Sequence, residues 1–433
     1  MDNLTIGIIG LLIMLVLLFL EMPLPLTFIV TGICGIIVLQ GPGIGLNYLS
    51  TLPFTRAASY NMAVLPVFIL LGDLAVDGRL TLDAYSAIRK WLGRMPSGLT
   101  VTSTVTCAVF GAICGSMQVT TMVMSKMAWP EMKRYNYDPS LSLGSICASA
   151  PIAILIPPSI PMVQYAILTD TSIGALFMAG IIPGLLLTGF ISGFLIVMGV
   201  IRPSAAPRTE IIPFKEKLSS LKNTWSILLV IIVMMYCIWG GVSTVNEAAS
   251  VGAFAVIAIV LAKKRMKIKE ILQCCKRSII LGASILFLLV GVHFFNVFMS
   301  LSGVPQVLAE WVTSLPVERY AIVWMIIILY LILGCFLDTP PIIMLTVPLF
   351  APVIADLGFS LIWFGVIATM CGALGGVTPP VGINLFIMHN AIPDVPMTKI
   401  MKGVVPFIAI TMAVIALCVY IEPFALLIPS MMH

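Results

Sequence analysis

Two short proline breaks inside long apolar runs constrain this chain more than anything else in it. They are Ile156-Pro157-Pro158-Ser159 and Thr378-Pro379-Pro380-Val381. Adjacent prolines remove two backbone donors and cannot continue a helix. In lipid, groups freed this way need partners inside the protein or in a water-filled cavity. Composition makes lipid the relevant solvent: 60% of the 433 residues are hydrophobic and 9% are charged. Soluble domains carry about 25% charged residues. Apolar runs of spanning length recur along the chain, and the alternation of barrel strands is absent. The expected fold is an all-α polytopic membrane protein.

Taken in order, spans are expected over 4–20 and 24–40, then a Gly/Pro-rich loop over 41–60 and a span over 62–76. Segment 77–98 is amphipathic and reads as an arm at the interface. Residues 99–128 are apolar but interrupted at Gly111 to Ser116. Two arms of about 14 residues, ~21 Å each at 1.5 Å per residue, fall short of a ~30 Å hydrocarbon core. This predicts a re-entrant hairpin with its tip at Gly115-Ser116. A span over 140–168, broken at Pro157-Pro158, and a span over 172–201 follow. Beyond a basic segment, 202–222, come spans over 225–240 and 247–262, a basic loop over 263–277 and a span over 278–299. Segment 300–319 is polar. A second hairpin is expected over 320–352, interrupted at Asp338-Thr339-Pro340-Pro341. A second broken span over 361–389 and a last span over 400–428 complete the chain. The domain reading is scaffold spans (1–76), arm (77–98), first repeat (99–201), central scaffold spans and basic loops (202–299) and second repeat (300–433).

Charge tests this layout. With ten full spans, two hairpins that return to their own side and the N-terminus outside, all but Arg56 and Arg319 of the 23 Lys and Arg fall on the cytoplasmic face. That is the positive-inside pattern. The net charge of +5 therefore reads as orientation rather than a nucleic-acid surface. Ten cysteines show no paired spacing, and most lie in apolar runs as small hydrophobes.

The chain also matches itself. Laying Ser116 on Asp338 brings Pro130 onto Pro352 and Pro157-Pro158 onto Pro379-Pro380 without a gap. An odd number of spans between the hairpins makes the halves inverted. Inverted repeats with paired broken helices are the architecture of secondary transporters, with sites at the breaks near the midplane. Half-helix N-termini there suit an anion. Unwound carbonyls and hydroxyls suit Na⁺. Candidate ion ligands are Gly115, Ser116, Asp338, Thr339, Gly376 and Thr378. Candidate substrate contacts are Ser116, Pro158, Ser159 and Asn384. For Asp338 the plainer alternative is a helix cap on the prolines that follow. Gln118, Thr120 and Thr121 are expected to bond to neighbouring helices. His293 and His389 read as satisfied structural histidines, and Asp73 and Asp170 as water-facing. No P-loop, HExxH, CxxC pair or nucleophile elbow occurs, which argues against ATP use and against an enzyme. With no Arg or Lys at membrane depth, cations and helix ends must meet an anionic solute.

These motifs resemble the large membrane subunit of the tripartite ATP-independent periplasmic (TRAP) transporters. The matching stretches are Gly115-Ser116, Pro130 through Asp138, Ile156 through Ile160, Ser172 through Gly184, Trp363 through Val366 and Thr378 through Phe386. The similarity covers essentially the whole chain. Family members usually follow the first tip with small residues, where this chain has Met117-Gln118-Val119-Thr120. The resemblance implies Na⁺-coupled import of a small organic anion, a carboxylate or sulfonate, with two or more Na⁺ as coupling ions. It also implies a separate four-helix small membrane subunit, a soluble periplasmic substrate-binding protein and an elevator-type transport domain. Location is then expected in the bacterial inner membrane, among lipid, with both termini periplasmic. A binding-protein-independent Na⁺/anion symporter and an anion channel stay open as alternatives.

Overall fold

A computed structural model describes residues 2–432, the side chain of Asn223 excepted. Among the described residues the chain is all-helical, 81% helix without strands. The first group of helices is α1 (Asn3–Phe19), α2 (Leu24–Gln40), α3 (Pro42–Ala57), α4 (Val64–Asp77) and α5 (Leu80–Leu92). The next is α6 (Gly98–Cys114), α7 (Met117–Arg134), α8 (Pro139–Ser149), α9 (Ile160–Thr169) and α10 (Ile173–Ile201). Then come α11 (Phe214–Trp239), α12 (Val245–Ala262), α13 (Ile268–Ser302) and α14 (Val304–Thr313). The last are α15 (Arg319–Phe336), α16 (Thr339–Asp356), α17 (Leu361–Gly375), α18 (Ile383–Ala391) and α19 (Met397–Tyr420). Seven helices among the described residues are long and apolar enough to cross a membrane, and six shorter apolar ones accompany them. Large apolar side chains such as Leu12, Leu185, Ile232, Phe254 and Ile332 are exposed on the outside, as a lipid-facing surface requires.

Several sequence expectations change. Segment 41–60 is mostly helix, not loop, because Pro42 occupies the first turn of α3, where its missing N–H is no loss. Most of the basic stretch 263–277 is helix as well. The Glu270 carboxylate accepts the Lys267 N–H at 2.6 Å and so caps the start of α13. Arg277 on that helix pairs with Asp77 at 2.6 Å and Asp73 at 3.5 Å, so Asp73 is ion-paired rather than free in water. Finally, the arms of the first hairpin, α6 and α7, have 17 and 18 residues, or about 26 Å each, against the expected 14. The polar end of α7 stays helical because Glu131 is held by Arg89 of α5 at 2.5 Å and by Tyr85 Oη at 3.3 Å. Arm length therefore does not decide how deep this hairpin goes.

Its neighbours do. Gly199 near the end of α10 packs on the Ser97 backbone at the hairpin base. Gly180 of the same helix packs on the Leu155 carbonyl, at the proline break beside the tip. The break beside the tip is thus level with Gly180, about 10 Å short of the other end of α10. The hairpin is closed at its base by the Leu99 N–H, which donates to Tyr137 Oη at 3.3 Å. Close by, Ser140 Oγ donates to the Lys399 carbonyl at 2.7 Å, at the start of α19. The base of the second hairpin (α15 and α16) lies at the far end of α19. There Trp363 Nε1 donates to the Cys418 carbonyl at 2.8 Å and Trp324 Nε1 to Tyr420 Oη at 3.0 Å.

Small residues bring the other helices together. Gly32 faces the backbone of Phe294 and Phe295, while Gly10 and Gly35 receive the Phe298 ring. Aromatic contacts such as Phe28–Phe295 at 5.5 Å continue this seam between α2 and α13. Where hydrocarbon offers no hydrophobic drive, such close packing holds helices together. The tightest approach joins α8 to α19, where a Cβ on Gly144 would run into the Gly403 backbone. Gly144→Ala is therefore expected to cost about 1–3 kcal/mol through overpacking, read as a lowered melting temperature in detergent. Gly189→Ala, with nothing within 4 Å of the new carbon, is the control and should melt no lower than the unaltered chain.

Candidate functional site

Each break places the carbonyl end of one helix beside the donor end of the next. The chain after α8 runs through a short 3-10 turn and Pro157-Pro158 before α9 starts. The chain after α17 runs through Pro379-Pro380 before α18 starts. Both Pro-Pro bonds are cis. The first N–H after each break reaches its own hairpin. Ile160 N–H donates to the Gly115 carbonyl at 3.4 Å, and Gly382 N–H donates to the Cys335 carbonyl at 3.0 Å. Ile160 and Gly382 are partners in the same self-alignment that lays Ser116 on Asp338. Gly115 must be glycine: its φ is +60°, and a Cβ would run into the Pro158 carbonyl oxygen.

The two tips meet at a cavity of about 170 Å³. Gly115, Ser116, Gln118, Gln164, Asp338 and Thr339 supply its polar lining. Three helices, α7, α9 and α16, begin at its wall, so three positive dipole ends converge there. Across it, Gln118 Nε2 donates to Asp338 Oδ2 at 2.6 Å and ties the first hairpin to the second. Asp338 occupies the N-cap position of α16, but the usual capping targets two and three residues on are Pro340 and Pro341, which have no N–H to offer. The carboxylate is thereby left for another partner.

Four proposed ion ligands, Gly115, Ser116, Asp338 and Thr339, share this cavity. Ser116 Oγ also accepts the Val119 N–H at 3.5 Å, capping α7. Thr339 Oγ1 is buried without a hydrogen-bond partner among the described residues. The other sequence candidates do not line the cavity. Pro158 presses on Gly115, and fully buried Ser159 caps α9 by accepting the Met162 N–H at 3.4 Å. Gly376, Thr378 and Asn384 gather at the second break. The Gly376 carbonyl accepts the Asn384 N–H at 2.9 Å, and Thr378 Oγ1 donates to the Leu374 carbonyl at 2.7 Å. The fully buried Asn384 amide has no hydrogen-bond partner among the described residues. Thr120 and Thr121 bond back within α7, to the Ser116 and Met117 carbonyls, rather than to neighbouring helices. Gln118 does reach across, to the other hairpin.

Sequence reading missed Gln164. It lies on α9, is 1% exposed, and its Oε1 has no partner among the described residues. The available signal was a glutamine in an apolar run shortly after the double proline. His389 is satisfied, with Nδ1 3.1 Å from the Val395 carbonyl. His293 is not: its Nε2 is buried without a partner among the described residues. No group of three or more His, Cys, Asp or Glu side chains among the described residues is arranged to hold a metal ion.

Paired hairpins and broken helices around a buried polar cavity define a carrier of small solutes. Residues 11–424 match the family described as "Tripartite ATP-independent periplasmic transporter, DctM component". The chain belongs to that family, which makes it a transporter subunit and not an enzyme. It is 29% identical over 379 residues to the C4-dicarboxylate TRAP transporter large permease protein DctM of Pseudomonas aeruginosa, covering 87% of this chain and 88% of that one. It is equally 29% identical over 418 residues to the ectoine TRAP transporter large permease protein TeaC of Halomonas elongata, covering 95% and 96%. The YdaH transporter of Alcanivorax borkumensis shares the fold with a TM-score of 0.64 at 12% identity, over 90% of this chain and 89% of that one.

The tie between the tips is measurable. A double-mutant cycle with Gln118→Ala and Asp338→Ala is expected to show a coupling of about 1–2 kcal/mol in unfolding free energy. Additive effects would mean that the two side chains do not interact.

Proposed function

We propose that this chain is the large permease of a TRAP system that imports a small organic acid across the inner membrane, driven by Na⁺. The observation that carries this reading is the cavity where both hairpin tips meet around Asp338. The Asp338 carboxylate, the unpartnered Thr339 Oγ1, Ser116 Oγ and the Gly115 carbonyl are hard oxygen donors of the kind Na⁺ takes. The converging helix N-termini favour the acid group of the solute once bound cations offset Asp338. Two hairpins based at opposite ends of α19, and the constant offset between matching tips and breaks, support an inverted repeat. That pairing favours an elevator, in which the unit carrying both tips slides against the seam of α2 and α13. The partners are a small membrane subunit and a periplasmic binding protein, and the basic loops face the cytoplasm.

Uptake into vesicles reconstituted with the three components should require an inward Na⁺ gradient. Equal uptake without the gradient would falsify the coupling. In Asp338→Asn the Na⁺ concentration for half-maximal uptake should rise about tenfold, the loss of about 1.4 kcal/mol of ion affinity. An unchanged Na⁺ curve would remove Asp338 from the ion site.

A further inference from the structure

A second polar chamber, of about 380 Å³, lies away from the tips. One wall is built from the end of α3, the linker after it and α13. It contributes Arg56, Ser59, Asn61 and His293. The other wall is the end of α9 and contributes Asp170 and Thr171. The first wall is held in place by the α11–α12 connection: the Asn246 amide donates to the Tyr60 carbonyl, and Tyr60 Oη lies 3.1 Å from Thr244 Oγ1.

Charge is divided between the walls. Arg56 is exposed, and no acidic group lies within ion-pair distance of it among the described residues. Beside it stands His293, only 6% exposed, with Nε2 lacking a partner among the described residues. Unpartnered buried polar groups are rare and ask for a ligand or water. On the other wall Asp170 is exposed at the C-terminal end of α9. That end already carries the negative pole of the helix. A guanidinium fork matches a carboxylate. A carboxylate and a helix C-terminus match a cationic nitrogen.

We propose that this chamber is a second solute site, which captures an organic acid that also carries a cationic nitrogen. The carboxylate lies on Arg56, Asn61 and His293, and the nitrogen on Asp170 and Thr171. A plain dicarboxylate would set its second charge against Asp170 and the end of α9, which selects against it. Arg56 stands on the face opposite the basic loops, so the chamber is an outer capture site on the way to the tip cavity. This placement rests on the importer reading; the binding itself does not.

The test uses the full-length chain in its membrane complex and phenylglyoxal modification of Arg56, read by peptide mass spectrometry. The probe is 4-aminobutyrate, with butyrate and butylamine at equal ionic strength as controls. Arg319, seated 4.7 Å over the Phe359 ring, is the internal reference. Modification of Arg56 should slow about threefold at a 4-aminobutyrate concentration twice its Kd. Butyrate should protect less, butylamine not at all, and Arg319 should react equally throughout. Asp170→Asn, a change at an exposed residue, should lower protection by 4-aminobutyrate to the level of butyrate. Equal protection by butyrate and 4-aminobutyrate in the unaltered chain, or no protection by 4-aminobutyrate up to saturating concentrations, overturns the proposal. Gradient-driven uptake is scored separately, so loss of this site leaves the permease reading standing.

Discussion

Everything at the centre of this protein follows from backbone groups that must be paired where water is scarce. A double proline opens a helix, and the exposed N–H and C=O groups then need partners. Here each break finds them on its own hairpin: Ile160 N–H on the Gly115 carbonyl and Gly382 N–H on the Cys335 carbonyl. The second break adds an internal bond, Asn384 N–H to the Gly376 carbonyl. Hairpin and broken helix are thus one unit held by main-chain bonds. Such bonds fix geometry whatever side chains surround them, which leaves the tip side chains free to carry chemistry.

The two units then differ where they meet. Ser116 and Asp338 occupy matching positions, yet one is a neutral cap and the other a carboxylate that Pro340 and Pro341 deny a capping role. Gln118 fills the gap between them and holds Asp338. At the tip cavity the two matched units are therefore unequal in charge. The same logic of charge set against charge recurs at the second chamber, where Arg56 and Asp170 stand on different walls.

Much of this was legible in the sequence because it depends on local chemistry. Double prolines, a glycine at the first tip and apolar run lengths are read residue by residue. The punctuation that returns in the second half, tip then proline then double proline, needed no contact information. Other features were hidden because they depend on what lies opposite. The residues past 128 fall between the hairpin and the next span in the sequence, but Arg89 and Tyr85 of α5 hold Glu131, and α7 runs helical to Arg134. His293 reads as an ordinary buried histidine, and only its surroundings show that Nε2 lacks a partner.

Read from its residues alone, the chain is an all-helical membrane protein with two proline-broken helices and an acidic residue at the second hairpin tip. These follow from donors that proline lacks and from lengths that a bilayer imposes. Only the tertiary structure decided which residues share a cavity. It brought Gln118 and Gln164 to Asp338 and kept Ser159 and Thr378 apart from it. It also placed Arg56 across from Asp170. The reason is physical: a helix fixes the spacing of its own residues, but packing against other helices fixes what each face meets.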